Sequence, residues 1–186
     1  MPAAVMPARS KGDIIQEEMG MGIPVSCLNE LNWQTKERSG GEEMDRRIVR
    51  TDEYLPLAEL FRRSGLETDD TPAEGTFAMW RCEDEAGALL GAATLKYLNG
   101  CYVLDNLAVE ESLRYGGIGV ALMETVLEEA KGRGAEEIWG CAKVPEYYLE
   151  KGWEKVAPED SPAISHCQTC RQYQVSCFPC IIKKHL

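Results

Sequence analysis

The sequence predicts an α/β chain of the α+β kind, and three observations carry that expectation. Leu104 to Gly119 reads as an apolar strand, a short polar connection, a glycine-rich turn and the start of a helix. Asn99-Gly100 is a strong hairpin signal between the apolar runs 88–97 and 101–109. From Gly117 onward, Ile118, Leu122, Met123, Val126, Leu127 and Ala130 recur at helical spacing.

The elements follow in order. Arg46-Arg-Ile-Val-Arg50 is a first strand. Thr51 or Asp52 can cap a helix whose apolar face is Leu55, Leu57, Leu60 and Phe61. After a turn-rich break at Thr71 to Gly75, residues 76–82 and 88–97 read as a strand pair joined across Asp84 to Gly87. Residues 101–109 form the next strand, and the helix from Gly117 stops at Gly132 and Gly134. Residues 137–142 make another strand, Pro145 opens a short helix through Glu150, and Gly152 ends it before a strand at 153–156. Tyr173 to Cys177 is the expected final strand.

At 186 residues, one domain is the natural count. Residues 1–43 carry Pro2, Pro7 and Pro24, with poor periodicity, and read as a partly ordered extension holding a possible short helix. Residues 44–186 are the expected domain. A net charge of −11 disfavours nucleic-acid binding, which relies on Lys/Arg clusters, and mildly favours a cationic substrate or partner. No apolar run approaches the ~20 residues needed to span a bilayer, and the first residues lack a secretory pattern. The expectation is a cytoplasmic protein without membrane association. Its eight cysteines then read as reduced thiols or metal ligands rather than a disulfide framework.

A glycine-rich turn opening a helix leaves backbone N–H groups without intrahelical partners, and the helix dipole adds partial positive charge there. A phosphate or diphosphate is the usual guest. No Gly-Lys-Ser/Thr follows, which excludes a P-loop, and Leu122 stands where a dinucleotide fingerprint needs its third glycine. What fits is Arg114-x-x-Gly117-x-Gly119 directly after a strand ending in Asn106-Leu-Ala-Val109. This resembles the acetyl-CoA-binding motif of the GNAT superfamily of N-acetyltransferases, R/Q-x-x-G-x-G/A. The element order over roughly 44–156 is similar too. The resemblance implies a mixed, mostly antiparallel central sheet flanked by helices, with acetyl-CoA as cosubstrate.

By that resemblance, coenzyme binding falls on Arg114, Tyr115, Gly116, Gly117, Ile118 and Gly119, whose amides would cradle the diphosphate. Leu107, Ala108 and Val109 take the positions lining the pantetheine arm, where a main-chain N–H can serve as oxyanion donor. Pro145 to Trp153 looks like the family's segment in which Phe-Tyr-x-x-x-Gly-Phe is common. Tyr148, four residues before Gly152, takes the position of the general acid toward the leaving thiolate. Tyr147 takes the preceding aromatic position, read as packing. Some protein-directed members carry a glutamate where this chain has Val103, which cannot act as a base. Asp105 shares a face with Val103 and Leu107 if the strand is regular, and is the candidate base, with a paired structural role as the alternative.

The segment 166–180 holds Cys167/Cys170 and Cys177/Cys180 as two C-x-x-C pairs. Four such thiolates can hold one Zn²⁺, although the six residues between the pairs are fewer than the roughly 15–20 of a zinc ribbon. Structural or redox thiols are the alternative. The leading expectation is acetyl transfer to a primary amine of a small molecule or protein. A non-catalytic acyl-CoA-binding module and a zinc-stabilised interaction protein are the competing readings. The acceptor stays open, and a homodimer is possible.

Overall fold

The computed structural model describes residues 45–164 and 167–186. The 1–43 extension, with its expected short helix, and His166 lie outside the described residues. In chain order the elements are β1 (Arg46–Arg50), α1 (Tyr54–Arg63), β2 (Thr76–Asp84), β3 (Leu89–Leu98), β4 (Cys101–Val109), α2 (Ile118–Gly132), β5 (Glu137–Ala142), α3 (Pro145–Leu149), β6 (Glu154–Val156) and β7 (Cys180–His185). Among the described residues seven strands form one sheet, ordered β1-β2-β3-β4-β5-β7-β6. Every neighbouring pair is antiparallel except β4 and β5, which run parallel.

The two faces of the sheet bury different helices. On one face Ala78, Trp80, Ala93, Leu95, Leu104 and Ile138 pack against Ile118, Leu122, Met123 and Val126 of α2. A Cβ on Gly91 of β3 would stand 2.9 Å from both Ile118 Cγ2 and Leu122 Cδ1. The missing side chain there lets the first turns of α2 lie directly on the sheet. On the other face Tyr54, Leu57, Ala58, Leu60 and Phe61 of α1 meet Met79, Ala92 and Ala108. Leu55, read from sequence as part of that apolar face, is instead 55% exposed. The buried stripe runs through 54, 57, 58 and 61, and residue 55 lies about 100° around the helix from 54. Neither Thr51 nor Asp52 caps α1: its N-cap is Glu53, without a side-chain cap, and Thr51 Oγ1 accepts the Glu53 N–H at 3.1 Å just before the helix.

The final strand also differs from expectation. Residues 173–177 form a tight turn with a single bridge between Tyr173 and Cys177, and Gln174 sits at φ 57°. The strand is β7, which inserts between β5 and β6. Ile182, at the centre of β7, is buried in the α2-side core, which supplies the hydrophobic reason for that choice.

Two irregularities shape the middle of the sheet. Thr94 pairs with Asn106 and Leu95 with Leu104, so Asp105 is an extra residue on β4 with no counterpart on β3. This is a β-bulge. Its effect is visible in the side chains: Leu104 and Leu107, three apart, both turn to the α2 side, while Ala108 turns to α1. The shared face expected for Asp105 and Leu107 therefore does not form. The second irregularity is that the β4–β5 ladder contains only Val103↔Trp139 and Leu104↔Gly140. Beyond Leu104 the two strands part and leave a fork in the sheet.

Candidate active site

The glycine-rich turn sits next to the open part of the fork. Gly117 caps α2 at φ 79°, a left-handed conformation suited to glycine, and Tyr115 adopts φ 70° with its side chain fully exposed. A 3₁₀ turn at Glu111–Leu113 links the end of β4 to this segment. Val120 and Ala121 donate to the Gly117 carbonyl at 3.0 Å, so they begin the helical ladder. α2 offers no side-chain cap to its first amides. The positions read from sequence as coenzyme-binding thus fall into two runs: Leu107, Ala108 and Val109 on β4 past the bulge, and Arg114 to Gly119 on the turn and first helical residues.

α3 leans over the same region. A Cβ on Gly119 would stand 2.9 Å from the Tyr147 hydroxyl oxygen and 3.5 Å from Val109 Cγ2. The Tyr147 ring is edge-on to Tyr148 at 5.1 Å, and Lys151 Nζ lies 4.0 Å from its centroid. Its hydroxyl is enclosed without a hydrogen-bond partner among the described residues. Burial pushes its phenol up to about 12, with Glu124 adding to the shift. Tyr148 is packed edge-on against Trp153 at 5.5 Å, and burial followed by Tyr147 pushes its phenol far up. Tyr148 is therefore a neutral O–H donor throughout the physiological range. Tyr147 packs, as read from sequence, and additionally closes over Gly119, a contact that spacing alone does not reveal.

At the vertex of the fork lies a polar network. Lys96 is 2% exposed, and its Nζ is 2.5 Å from Asp105 Oδ1. The Asn106 amide nitrogen donates to Asp105 Oδ2 at 3.0 Å, and the Asn106 main-chain N–H donates to buried Thr94 Oγ1 at 3.1 Å. Both Asp105 oxygens are thus engaged, as in the paired aspartate that was one of its two sequence readings. Lys96 was not found from sequence: in the run Ala-Ala-Thr-Leu-Lys-Tyr a lysine late in a strand looks like an ordinary solvent-facing end.

Beside the end of β5, two connections meet. Lys143 Nζ donates to the Gly65 carbonyl at 2.7 Å, and Glu67 lies 3.4 Å from Arg171 Nε. Cys170 donates to Glu67 Oε2 at 3.0 Å, a bond that raises the thiol's pKa. Cys167 Sγ is 3.1 Å from Cys141 Sγ on β5. The zinc tetrahedron read as possible for Cys167, Cys170, Cys177 and Cys180 is accordingly not assembled. Among the described residues no group of three or more His, Cys, Asp or Glu is gathered to hold a metal ion. Pairing of Cys180 with Ala142 in the β5–β7 ladder fixes one thiol on the sheet, while Cys167 and Cys170 take partners from β5 and the α1–β2 connection. No helix among the described residues is long and apolar enough to cross a membrane.

A mixed sheet forked between its parallel strands, with a glycine-capped helix at the fork, defines the acyl-CoA N-acyltransferase fold. The chain belongs to the acetyltransferase (GNAT) family, whose sequence profile matches residues 30–147, more than half of its length. Among solved structures it is similar to N-acetylglutamate synthase from Neisseria gonorrhoeae complexed with coenzyme A and N-acetyl-glutamate. There the TM-score is 0.60 at 20% identity, covering 75% of this chain and 35% of that one. The chain thus spans about a third of that enzyme's length. A GNAT-family acetyltransferase from Staphylococcus aureus gives 0.55 at 17% identity, with 76% and 99% covered. A GNAT-family acetyltransferase from Elizabethkingia anophelis with acetyl-CoA bound gives 0.54 at 13%, with 76% and 98% covered. At these identities the likeness is one of fold. None of the curated proteins matches the chain.

Proposed function

We propose that this acyltransferase moves an acetyl group from acetyl-CoA to a primary amine of a small molecule or protein. The observation that carries the reading is the fork: past Leu104, β4 offers main-chain groups that the β5 ladder leaves unpaired, beside the start of α2, which no side chain caps. In this reading the amides of Gly116, Gly117, Ile118 and Gly119 hold the diphosphate, with the side chain of Arg114 adding charge and Tyr115 flanking the turn. Leu107, Ala108 and Val109 line the pantetheine arm, and a main-chain N–H there stabilises the thioester oxygen as charge develops. The neutral amine attacks the thioester carbon, the C–N bond forms and the C–S bond breaks. The amine's proton passes to Asp105, directly or through water, and the Tyr148 hydroxyl donates to the departing thiolate. The partly buried setting of Tyr148, which keeps its phenol protonated, supports its role as donor.

A second reading is favoured by the engagement of both Asp105 oxygens: a module that binds acyl-CoA without turnover. One experiment separates the two. CoA is titrated by calorimetry, then acetyl-CoA is incubated with a panel of polyamines, aminoglycosides, amino acids and lysine peptides while thiol release is followed. The transferase reading expects CoA binding, release with at least one amine, and a drop of tenfold or more in Tyr148→Phe. Binding without release across the panel replaces it with the module. No heat on CoA addition removes both.

A further inference from the structure

Arg46 opens β1, where the ladder with β2 sets it opposite Asp84. Its Nη1 donates to the carbonyl of Gly116 at 3.0 Å, a contact spanning 70 residues of chain. Its Nε is enclosed without a hydrogen-bond partner among the described residues. A Cβ on Gly116 would stand 3.4 Å from Nη1 and 3.9 Å from Nη2, so the guanidinium lies directly beneath that glycine.

The turn it reaches has little local support. Gly116 N–H donates to the Leu113 carbonyl at 3.3 Å, and Arg114 N–H to Glu111 at 3.4 Å, both long. Tyr115 holds a left-handed conformation, φ 70°, which is sterically unfavourable for a residue with a side chain. The peptide linking Gly116 to Gly117 is trans and planar, so its carbonyl and its N–H point in opposite directions. Fixing the Gly116 oxygen on the inward-lying guanidinium turns the Gly117 N–H the other way, out of the turn.

We propose that Arg46 is a positioning residue for the coenzyme's diphosphate: it locks the Gly116–Gly117 peptide so that the Gly117 N–H faces the ligand, and sets a permanent cation beneath the turn. The inference rests on the coenzyme reading above. Arginine suits both tasks, since its planar fork holds an oxygen in a fixed direction and its charge persists at all working pH values. The side chain acts through the turn's backbone, not by touching the reacting atoms.

The test uses the full chain and calorimetric titration with CoA, with ADP as a probe carrying the diphosphate on adenosine without the pantetheine arm, and with pantetheine as a probe lacking the diphosphate. Arg46→Met is expected to weaken CoA and ADP about tenfold and to leave pantetheine within twofold. Arg46→Lys is expected to recover at least a third of the loss, because an ammonium keeps the charge and one donor. Should Arg46→Met fold poorly, Arg46→Gln carries the same expectation. Unchanged CoA affinity in a folded neutral variant overturns the inference, as does a parallel loss of pantetheine binding, which signals general damage. If the unaltered protein fails to bind CoA, the coenzyme reading itself falls. If it binds and the neutral variants bind equally well, only the role of Arg46 falls.

Discussion

The hydroxyl oxygen of Tyr147 lies 2.9 Å from where a β-carbon on Gly119 would stand, closer than ordinary contact allows. The neighbouring α3 thus favours glycine at residue 119 independently of any ligand. Gly119→Ala should destabilise the protein by about 1–2 kcal/mol through overpacking. Tyr147→Phe alone should be neutral or stabilising by up to about 1 kcal/mol, because it removes an enclosed hydroxyl that has no partner. The double variant should recover most of the loss. Urea denaturation of the four proteins measures this coupling, and simple additivity would refute the contact.

The two left-handed residues of the turn make opposite predictions. Tyr115 bears the steric cost of a side chain at φ 70°, whereas Gly117 at φ 79° does not. Tyr115→Gly should therefore change stability by less than about 1 kcal/mol in either direction, relief of strain offsetting the freer unfolded chain. Gly117→Ala should cost about 1–2 kcal/mol. Melting curves of both variants, without added coenzyme, decide the matter.

Lys96 and Asp105 form a buried pair, so removing one partner should be worse than removing both. Lys96→Met leaves a carboxylate at the vertex of the fork with its cation gone, and should cost about 3 kcal/mol. Lys96→Met combined with Asp105→Leu should cost less than the single lysine change. If the single and double variants lose the same stability, the pair is not holding the bulge in the way its distances imply.

Alkali provides a further test. Burial, only partly countered by the Arg46 charge, pushes the Cys82 thiol from its usual 9 to about 11. Tyr147 is pushed from 10 to about 12. Between the unfolded and folded values the native state retains protons that the unfolded chain has lost, so stability falls as pH rises. Stability should be fully present below pH 9 and decline through the interval 9–12, with Cys82 contributing about 3 kcal/mol of the loss. Cys82→Ala should flatten the part of the decline between 9 and 11. An equally steep decline in that variant would exclude the thiol.

Where hydrophobic pattern and turn chemistry agreed, the sequence was a sufficient guide. β1, β4 and β5 occupy the residues expected, and the start of α2 follows its glycines. Strand β7 escaped notice because Cys-Ile-Ile-Lys-Lys-His lacks alternation, its lysine pair masking a strand flanked by others on both sides. The bulge left no trace either: Leu-Asp-Asn-Leu contains neither glycine nor proline, and only the cross-strand register reveals the surplus residue. Lys96 and Arg46 were invisible for a related reason. Each is tied down by a partner that periodicity does not reveal, Asp105 across the β3–β4 hairpin for Lys96 and Gly116, 70 residues on, for Arg46. The Cys-x-x-Cys spacing left zinc and structural or redox thiols both open, and tertiary partners draw Cys167 and Cys170 to Cys141 and Glu67.

The surplus residue in β4 makes that strand's length a fixed quantity. Excising Asp105 would make Leu104 and Asn106 consecutive opposite Leu95 and Thr94, erasing the bulge while Leu107 and Val109 keep the α2 side and Ala108 the α1 side. The ladder with β5 could then continue past Leu104 and zip the opening shut. A point substitution can only degrade such a cleft, but the loss of one codon would abolish it. Between Cys101 and Val109 the gene should accordingly tolerate exchanges of letters far better than any change in their number.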